Sequence, residues 1–178
     1  LADAGIHCHV SFPRTVADTA MMVRDIGGEL GARDAAEPIA VAIESTLRDV
    51  TSRARERAPV RYAYLIWRDP WMTVSDDTFV AAMLGAAGGV NVFGETADRY
   101  PTVEPAAIAQ AEPDVVLLSS EPFPFRDRHA DELSAASGVP RDRFLLVDGE
   151  LLSWHGSRTA RGVAYAESVL AAPTRGQV

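Results

Sequence analysis

Apolar residues in this chain come in short unbroken runs that alternate with segments of helical period. Residues 62–67, Tyr-Ala-Tyr-Leu-Ile-Trp, form one such run, and its length and aromatic content predict a strand buried on both faces. Asp69-Pro70 ends it, because a residue before proline is pushed out of the helical region. A loop carrying Trp71, Met72 and Thr73 follows. Asp76 or Asp77 then offers the short oxygen that caps free first-turn amides of a helix running to about Ala87. Gly88-Gly89 stops that helix where a positive φ is cheap, and 90–93 reads as a short second strand. Strand, aromatic loop, helix, glycine stop and strand make a βαβ unit, which places ligands at strand C-terminal ends. Trp67, Arg68, Trp71 and Met72 belong to that edge.

The same reading extends to both sides. Residues 5–11, Gly-Ile-His-Cys-His-Val-Ser, predict a short strand. Thr15 is placed to cap a helix over 16–30, with Ala20, Val23, Ile26 and Leu30 on one face, and Gly31 ends it. Asp34 caps a second helix over 34–58, with Pro38 in its first turn and Ile39, Ile43, Leu47, Val50 and Ala54 as its apolar stripe. At ~1.5 Å per residue that helix is about 35 Å long. Arg53, Arg55 and Arg57 suit the negative end of its dipole and read as a solvated face. Beyond the central unit come a loop over 95–103 holding Tyr100-Pro101, a helix over 105–111 and a strand over 115–120. A rigid aromatic loop over 121–125 leads to a helix over 127–137 that Gly138 ends. A strand over 144–147, a loop over 152–157, a helix over 158–170 and a disordered tail complete the chain. Strands alternating with helices from Arg61 onward predict an α/β fold with a parallel sheet and right-handed crossovers. One strand and two helices ahead of it are too little to form a core of their own.

Composition narrows the function classes. The chain has 178 residues, 47% of them hydrophobic, and its mean hydropathy is −0.02, as in ordinary globular proteins. No run approaches the roughly 18 apolar residues of a membrane span. A net charge of −8 argues against a nucleic-acid partner. All 17 basic residues are Arg, so Schiff-base and phosphate-loop lysines are excluded. The single Cys8 rules out an intrachain disulfide and a cysteine-cluster metal site. The chain opens at Leu1 and reads as processed, trimmed or incomplete, so the lack of a leader carries no information.

The candidate chemistry lies at the strand ends. Trp67, Trp71 and Trp154, the three tryptophans, fall at or just beyond strand C-termini, as do Phe123, Phe125 and His155. Aromatics gathered on one edge of a parallel sheet point to a pocket for a large, flat or hydrophobic ligand, while the plainer reading packs the loops on one another. Arg68, Asp69, Glu121, Asp148, His155 and Arg158 supply polar groups at that edge. Ser119 and Ser120 stand in no nucleophile elbow, and no glycine-rich loop follows a strand, so the edge is built for recognition. His7 and His9 share a face about Cys8, but no carboxylate near in sequence completes a metal site. His155 reads either as a ligand to a metal centre carried by the bound molecule or as a hydrogen-bonding residue of its loop. No catalytic residue, resident cofactor or metal of the protein's own is expected.

Three segments, YLIWRDPWMTVSDDTFVAAMLGAAGGVNVFG, YPTVEPAAIAQAEPDVVLLSSEPFPF and FLLVDGELLSWHGSRTARG, resemble the C-terminal lobe of the helical-backbone (class III) substrate-binding proteins of ABC importers. Vitamin B12-binding and ferric-siderophore receptors belong to that class. The resemblance spans residues 5–170 in consistent order; the Asp-Thr-Phe helix with its Gly-Gly-x-Asn stop and the Glu-Pro-Asp turn carry it.

It implies two α/β lobes joined by one long helix, with a ligand between them. Here 1–33 would be the last strand and helix of the first lobe, 34–58 the joining helix, 59–172 the C-terminal α/β lobe and 173–178 the tail. The implied function is that of an extracytoplasmic receptor which binds a corrinoid, haem or siderophore chelate and delivers it to an ABC permease. The implied ligand set is Arg14, Trp67, Arg68, Trp71, Met72, Glu121, Phe123, Phe125, Trp154 and His155. The class's vitamin B12 member offers a lobe-surface glutamate to its permease; Ala106 aligns with it here, and Glu104 stands two residues earlier. The implied location is periplasmic or extracellular, a lipoprotein anchor being one form of it. The alternative is a chelatase-like tetrapyrrole or metal enzyme, which would need His155 with Glu121 as its metal pair. With most of a first lobe absent from these residues, self-association or membership of a longer protein is expected, together with weak ligand affinity.

Overall fold

The computed structural model describes residues 4, 5 and 8–171. Four strands form one parallel sheet: β1 (Val60–Leu65), β2 (Gly89–Asn91), β3 (Val115–Ser119) and β4 (Phe144–Val147), in the order β2-β1-β3-β4. The two central strands are those read from unbroken apolar runs. Tyr62–Leu65 and the whole of β3 are buried, as a sheet covered on both faces requires. Side-chain alternation divides these runs between two cores. Tyr62, Tyr64, Val115 and Leu117 face one; Ala63, Leu65, Val116 and Leu118 face the other.

The first core is closed by α1 (Val16–Glu29), α2 (Arg33–Ala54), α3 (Phe79–Ala86) and α7 (Thr159–Ala171). The second is closed by α4 (Pro105–Gln110) and α5 (Asp127–Ser137). Between β4 and α7 lies the short α6 (Gly149–Ser153). The expected α/β architecture with helices on both faces of a parallel sheet is the one found.

Local chemistry explains the helix ends. Thr15 caps α1 in a capping box with Asp18. The backbone N–H groups of Thr15 and Arg14 donate to the Asp18 carboxylate and hold it below its usual range. Gly138, at φ +82, ends α5 in the left-handed region. α2 is one unbroken helix of 22 residues, with Ile43 and Val50 fully buried on its stripe. It runs from 33 to 54 instead of 34 to 58, opens without a side-chain cap, and carries Pro38 beyond its first turn. It crosses α1 at a close approach: a Cβ at Gly27 would lie 2.3 Å from the Ala36 Cβ. At its other end the Arg53 guanidinium grips Glu167 of α7 through bonds of 2.8 and 2.7 Å.

Several expectations need correction. Residues 8–11 form no strand: they are exposed and the sheet does not include them, while 6 and 7 lie outside the described residues, so nothing is said of His7. The cap of α3 is Thr78, whose hydroxyl accepts from Ala81 N–H, and not Asp76 or Asp77, whose carboxylates are exposed. Part of the 152–157 loop is α6, capped by Asp148 through Leu151 N–H. Ile26 and Leu30, placed on the packed face of α1, are exposed, because α2 covers only the part of that helix it crosses. The tail over 173–178 lies outside the described residues.

Candidate functional site

The loops after β1 and β2 are stitched together. Ile66 N–H donates to Met72 O and Met72 N–H to Trp67 O, so the chain doubles back at once after β1. The returning segment pairs with the one that follows β2: Thr73 N–H donates to Pro101 O, Ser75 N–H to Arg99 O, and Val103 N–H to Trp71 O. Thr73 Oγ1 also donates to Tyr64 O at 2.7 Å. These bonds fix where Arg99 and Tyr100 stand relative to the end of β1.

Above this edge is a concavity of about 500 Å³. Its deep surface comes from the buried Tyr64, Val74 and Phe79; Trp67, Met72, Glu121 and Pro122 line it further, and Phe12, Tyr100 and His155 are exposed lining residues. The sheet-derived lining follows β1, β2, β3 or β4, so the site lies at strand C-terminal ends, as the βαβ reading required. The imidazole of His155 meets the Phe79 ring edge-on at 5.5 Å, and Trp67 meets Phe123 at 5.8 Å and 71°. Beneath the floor the Tyr64 hydroxyl donates to Ser119 Oγ at 2.9 Å, and burial pushes the phenol far above its ordinary range. Ser119 Oγ also accepts from Glu121 N–H at 3.2 Å. Ser119 is wholly buried and engaged as a structural hydroxyl.

Of the ten ligand residues implied by the resemblance, Trp67, Met72, Glu121 and His155 share this concavity. The other six stand elsewhere. Trp71 stacks on Phe125 at 6.0 Å and 6°, Phe125 meets Phe123 at 4.8 Å, and His129 closes the group against the second core. Arg68 turns toward α5, where it binds Glu132 at 2.6 Å and holds that carboxyl below its usual range. Arg14 pairs with Asp77. Trp154 is 49% exposed, with the Arg158 guanidinium 5.4 Å from its ring centre. Thus the expectation that Trp71, Phe123, Phe125 and Trp154 line one concave edge with Trp67 and His155 does not hold in this geometry. Phe12, Tyr64, Phe79, Arg99 and Tyr100 are lining residues that sequence reasoning passed over. Tyr100 was visible as an aromatic beside a loop proline; the others carried no local signal.

A larger concavity of about 700 Å³ runs along the outer side of β2 among Arg61, Asp76, Asn91 and Gly94. Its lining mixes glycines and charged groups with small and apolar residues, and it holds none of the predicted site residues. Glu104, the docking candidate, is exposed at the N-cap of α4 and does not use its carboxylate to cap, and Ala106 is exposed in the first turn. Among the described residues no three His, Cys, Asp or Glu side chains gather to hold a metal ion. No described helix is long and apolar enough to cross a membrane.

The family described as "Periplasmic binding protein" matches residues 2–140. The vitamin B12-binding protein of Vibrio cholerae serotype O1 is 22% identical over 117 residues, covering 66% of this chain and 42% of that protein. The chain therefore spans less than half the length of this curated relative. The crystal structure of the periplasmic vitamin B12 binding protein of Vibrio cholerae superposes with a TM-score of 0.81 at 19% identity, over 98% of this chain and 68% of that one. A periplasmic heme-binding protein in complex with two hemes superposes with a TM-score of 0.80 at 21% identity, over 97% of this chain and 69% of that one. At such identities the likeness is one of fold. The family that matches is one of binding proteins.

Proposed function

The chain belongs to the periplasmic binding protein family, and on that premise we propose that it is part of an extracytoplasmic receptor that captures a metal chelate for an ABC importer. The ligand class is a bulky, partly flat chelate of corrinoid, haem or siderophore type. The observation that carries this reading is the aromatic-walled concavity of about 500 Å³ at the C-terminal edge of the sheet, with Trp67, Phe79, Tyr100 and His155 among its lining. Such rings provide a broad apolar surface, and Glu121, His155 and Arg99 are among the polar groups that can orient what lies on it. In this reading α2 is the helix that joins two lobes, residues 59–172 form one lobe, and the concavity is that lobe's share of the site. Glu104 is proposed as the contact with the permease, its exposed carboxylate standing free of helix capping. The location proposed is periplasmic or extracellular, including a lipoprotein form, and the exposed apolar residues of α1 and α2 favour association with a second copy or with further chain.

The test is titration of the chain with haemin, cyanocobalamin and a ferric trihydroxamate, followed by ligand absorbance and tryptophan fluorescence. One of the three is expected to saturate a single site, and Trp67→Ala is expected to weaken it by about tenfold or more. Trp71→Ala is expected to leave affinity within about twofold, since Trp71 is turned away from the concavity. Failure of all three ligands to bind would remove the metal-chelate reading.

A further inference from the structure

His129 is buried in the first turn of α5 and is no part of the concavity's lining. Both of its ring nitrogens face donors. Arg126 N–H donates to Nδ1 at 3.0 Å, closing the capping box at the start of α5, and Arg128 Nε–H points to Nε2 at 3.1 Å. A neutral imidazole has one acceptor nitrogen and can satisfy one of these donors; an imidazolium has none. The charged groups around the ring oppose a proton as well. Arg126 and Arg128 act on it from the start of α5, and Arg68 from the loop after β1. Glu132, one turn along α5, is the opposing carboxylate, and Arg68 already holds it at 2.6 Å. Burial, followed by these cations, sets the imidazole below its ordinary range.

The same ring stands behind the concavity. It meets Phe123 at 5.1 Å and Phe125 at 5.8 Å, both edge-on, and these rings are what the 121–125 loop presents to it. Phe123 in turn meets Trp67 at 5.8 Å, and its N–H donates to Ile66 O at 3.3 Å. Ile66, Trp67, Glu121 and Pro122, on either side of that contact, line the concavity. Resting on the receptor reading above, we propose that His129 is a positioning residue of the binding site: while neutral it holds the 121–125 loop and Trp67 in their lining positions, and on taking a proton it releases them. The added proton meets no acceptor, so the imidazolium must leave Arg126 N–H and turn from the two phenylalanines toward Glu132 or solvent. That opens the capping box of α5 and withdraws the support behind Phe123. The concavity then holds a chelate best near neutral pH and loosens in acid.

Two readouts test this. In the ligand-free chain labelled with fluorotryptophan, the fluorine resonances of Trp67 and Trp71 are assigned with Trp67→Phe and Trp71→Phe and followed from about pH 7.5 to about pH 4.5, across the histidine range. Trp71 stacks on Phe125 and so reports on a ring that His129 touches. Both resonances are expected to shift together with the His129 imidazole, at a midpoint below about pH 6.5. His129→Asn, which keeps an acceptor and takes no proton, is expected to remove the Trp71 shift. Arg128→Gln, an exposed change that keeps His129 but deletes the donor facing Nε2, is expected to move the midpoint upward, and it serves where His129→Asn does not fold. In the second readout, cyanocobalamin and a ferric trihydroxamate are titrated into the chain at both ends of that pH range. Whichever binds is expected to lose at least about threefold more affinity in acid with the wild type than with His129→Asn, because protonation lowers the competent fraction. A Trp71 resonance that does not shift, or whose shift persists in His129→Asn, overturns the proposal. So does an unmoved midpoint in Arg128→Gln, or an equal acid loss of affinity in wild type and His129→Asn. Failure of both chelates to bind removes the receptor reading, while the fluorine shifts still decide for or against His129, so the two failures are distinct.

Discussion

Two groups of aromatic rings flank the same end of the same sheet, and they are in opposite condition. Trp71, Phe123 and Phe125 stack on one another and on His129 against the second core, and Phe125 is 6% exposed. Phe12, Trp67 and Tyr100 line the concavity and are between 40% and 66% exposed. The first group has its contacts satisfied within the chain. In the second, Trp67 lies in a loop tied back by backbone hydrogen bonds, Arg99 rests over Phe12 and Tyr100, and all three rings keep much of their surface exposed. The difference separates rings that hold the fold from rings available to a ligand, although Trp67 and Phe123 alike sit just beyond strand ends.

The sharpest way to break this comparison is truncation on each side. Phe125→Ala is expected to cost about 3–5 kcal/mol in urea unfolding, the usual loss for a buried aromatic. Tyr100→Ala is expected to stay within about 0.5 kcal/mol, since an exposed ring has little to lose. Equal costs would mean that both groups are structural.

A smaller effect tests the layer beneath the concavity. Tyr64→Phe keeps the ring but removes the donor to Ser119 Oγ, and is expected to cost about 1–2 kcal/mol by the same measurement. A change of a few tenths would show that Ser119 finds another partner without strain.

The smallest effect concerns pH. Burial, with help from Arg128 and Arg68, lowers the pKa of His129 below its ordinary value, and its Nδ1 accepts from Arg126 N–H. The unfolded chain therefore binds this proton more readily than the folded one, so stability rises with pH across the window that ends near the usual histidine value of about 6.5. The contribution is complete above that value and is lost as pH falls through the window. His129→Asn, which keeps an acceptor and does not titrate, is expected to flatten the slope below about pH 6.5 in denaturation curves taken on both sides of that value.

Much of the fold was legible because each central strand declares itself by a run buried on both sides. β4, α5 and the Gly138 stop match the sequence reading residue for residue. The misses have physical causes. Alternation over 5–11 shows that a segment can pair, not that a sheet edge waits beside it. Asp148-Gly149 reads as a turn, and five residues are too few for helical period to show α6. The edge that carries the site was legible from aromatics after strands, but the direction of each ring was not. Trp71 turns inward because Phe125 meets it from a loop fifty-four positions later in the chain, and no local pattern encodes that meeting.

The close crossing of α1 on α2 has a consequence for how the molecule breathes. At its start α1 is fastened by the Thr15 capping box and by Val16, Thr19 and Ala20, all buried. Further along, Gly27 touches α2, while Met21, Ile26 and Leu30 face outward. The second half of α1 is held to α2 by Arg24, which bonds Glu37 and Glu44, and by the Gly27 contact, and not by the sheet, so it is the part of the pair expected to open first. In native-state amide hydrogen exchange, protons after Val23 are expected to exchange through local openings insensitive to low urea. Those of Ile43 to Val50 in α2, pinned between α1, α3 and α7, are expected to wait for global unfolding. A helix pair that looks uniform in the fold would then divide into a fast part and a slow one, with the boundary near Val23.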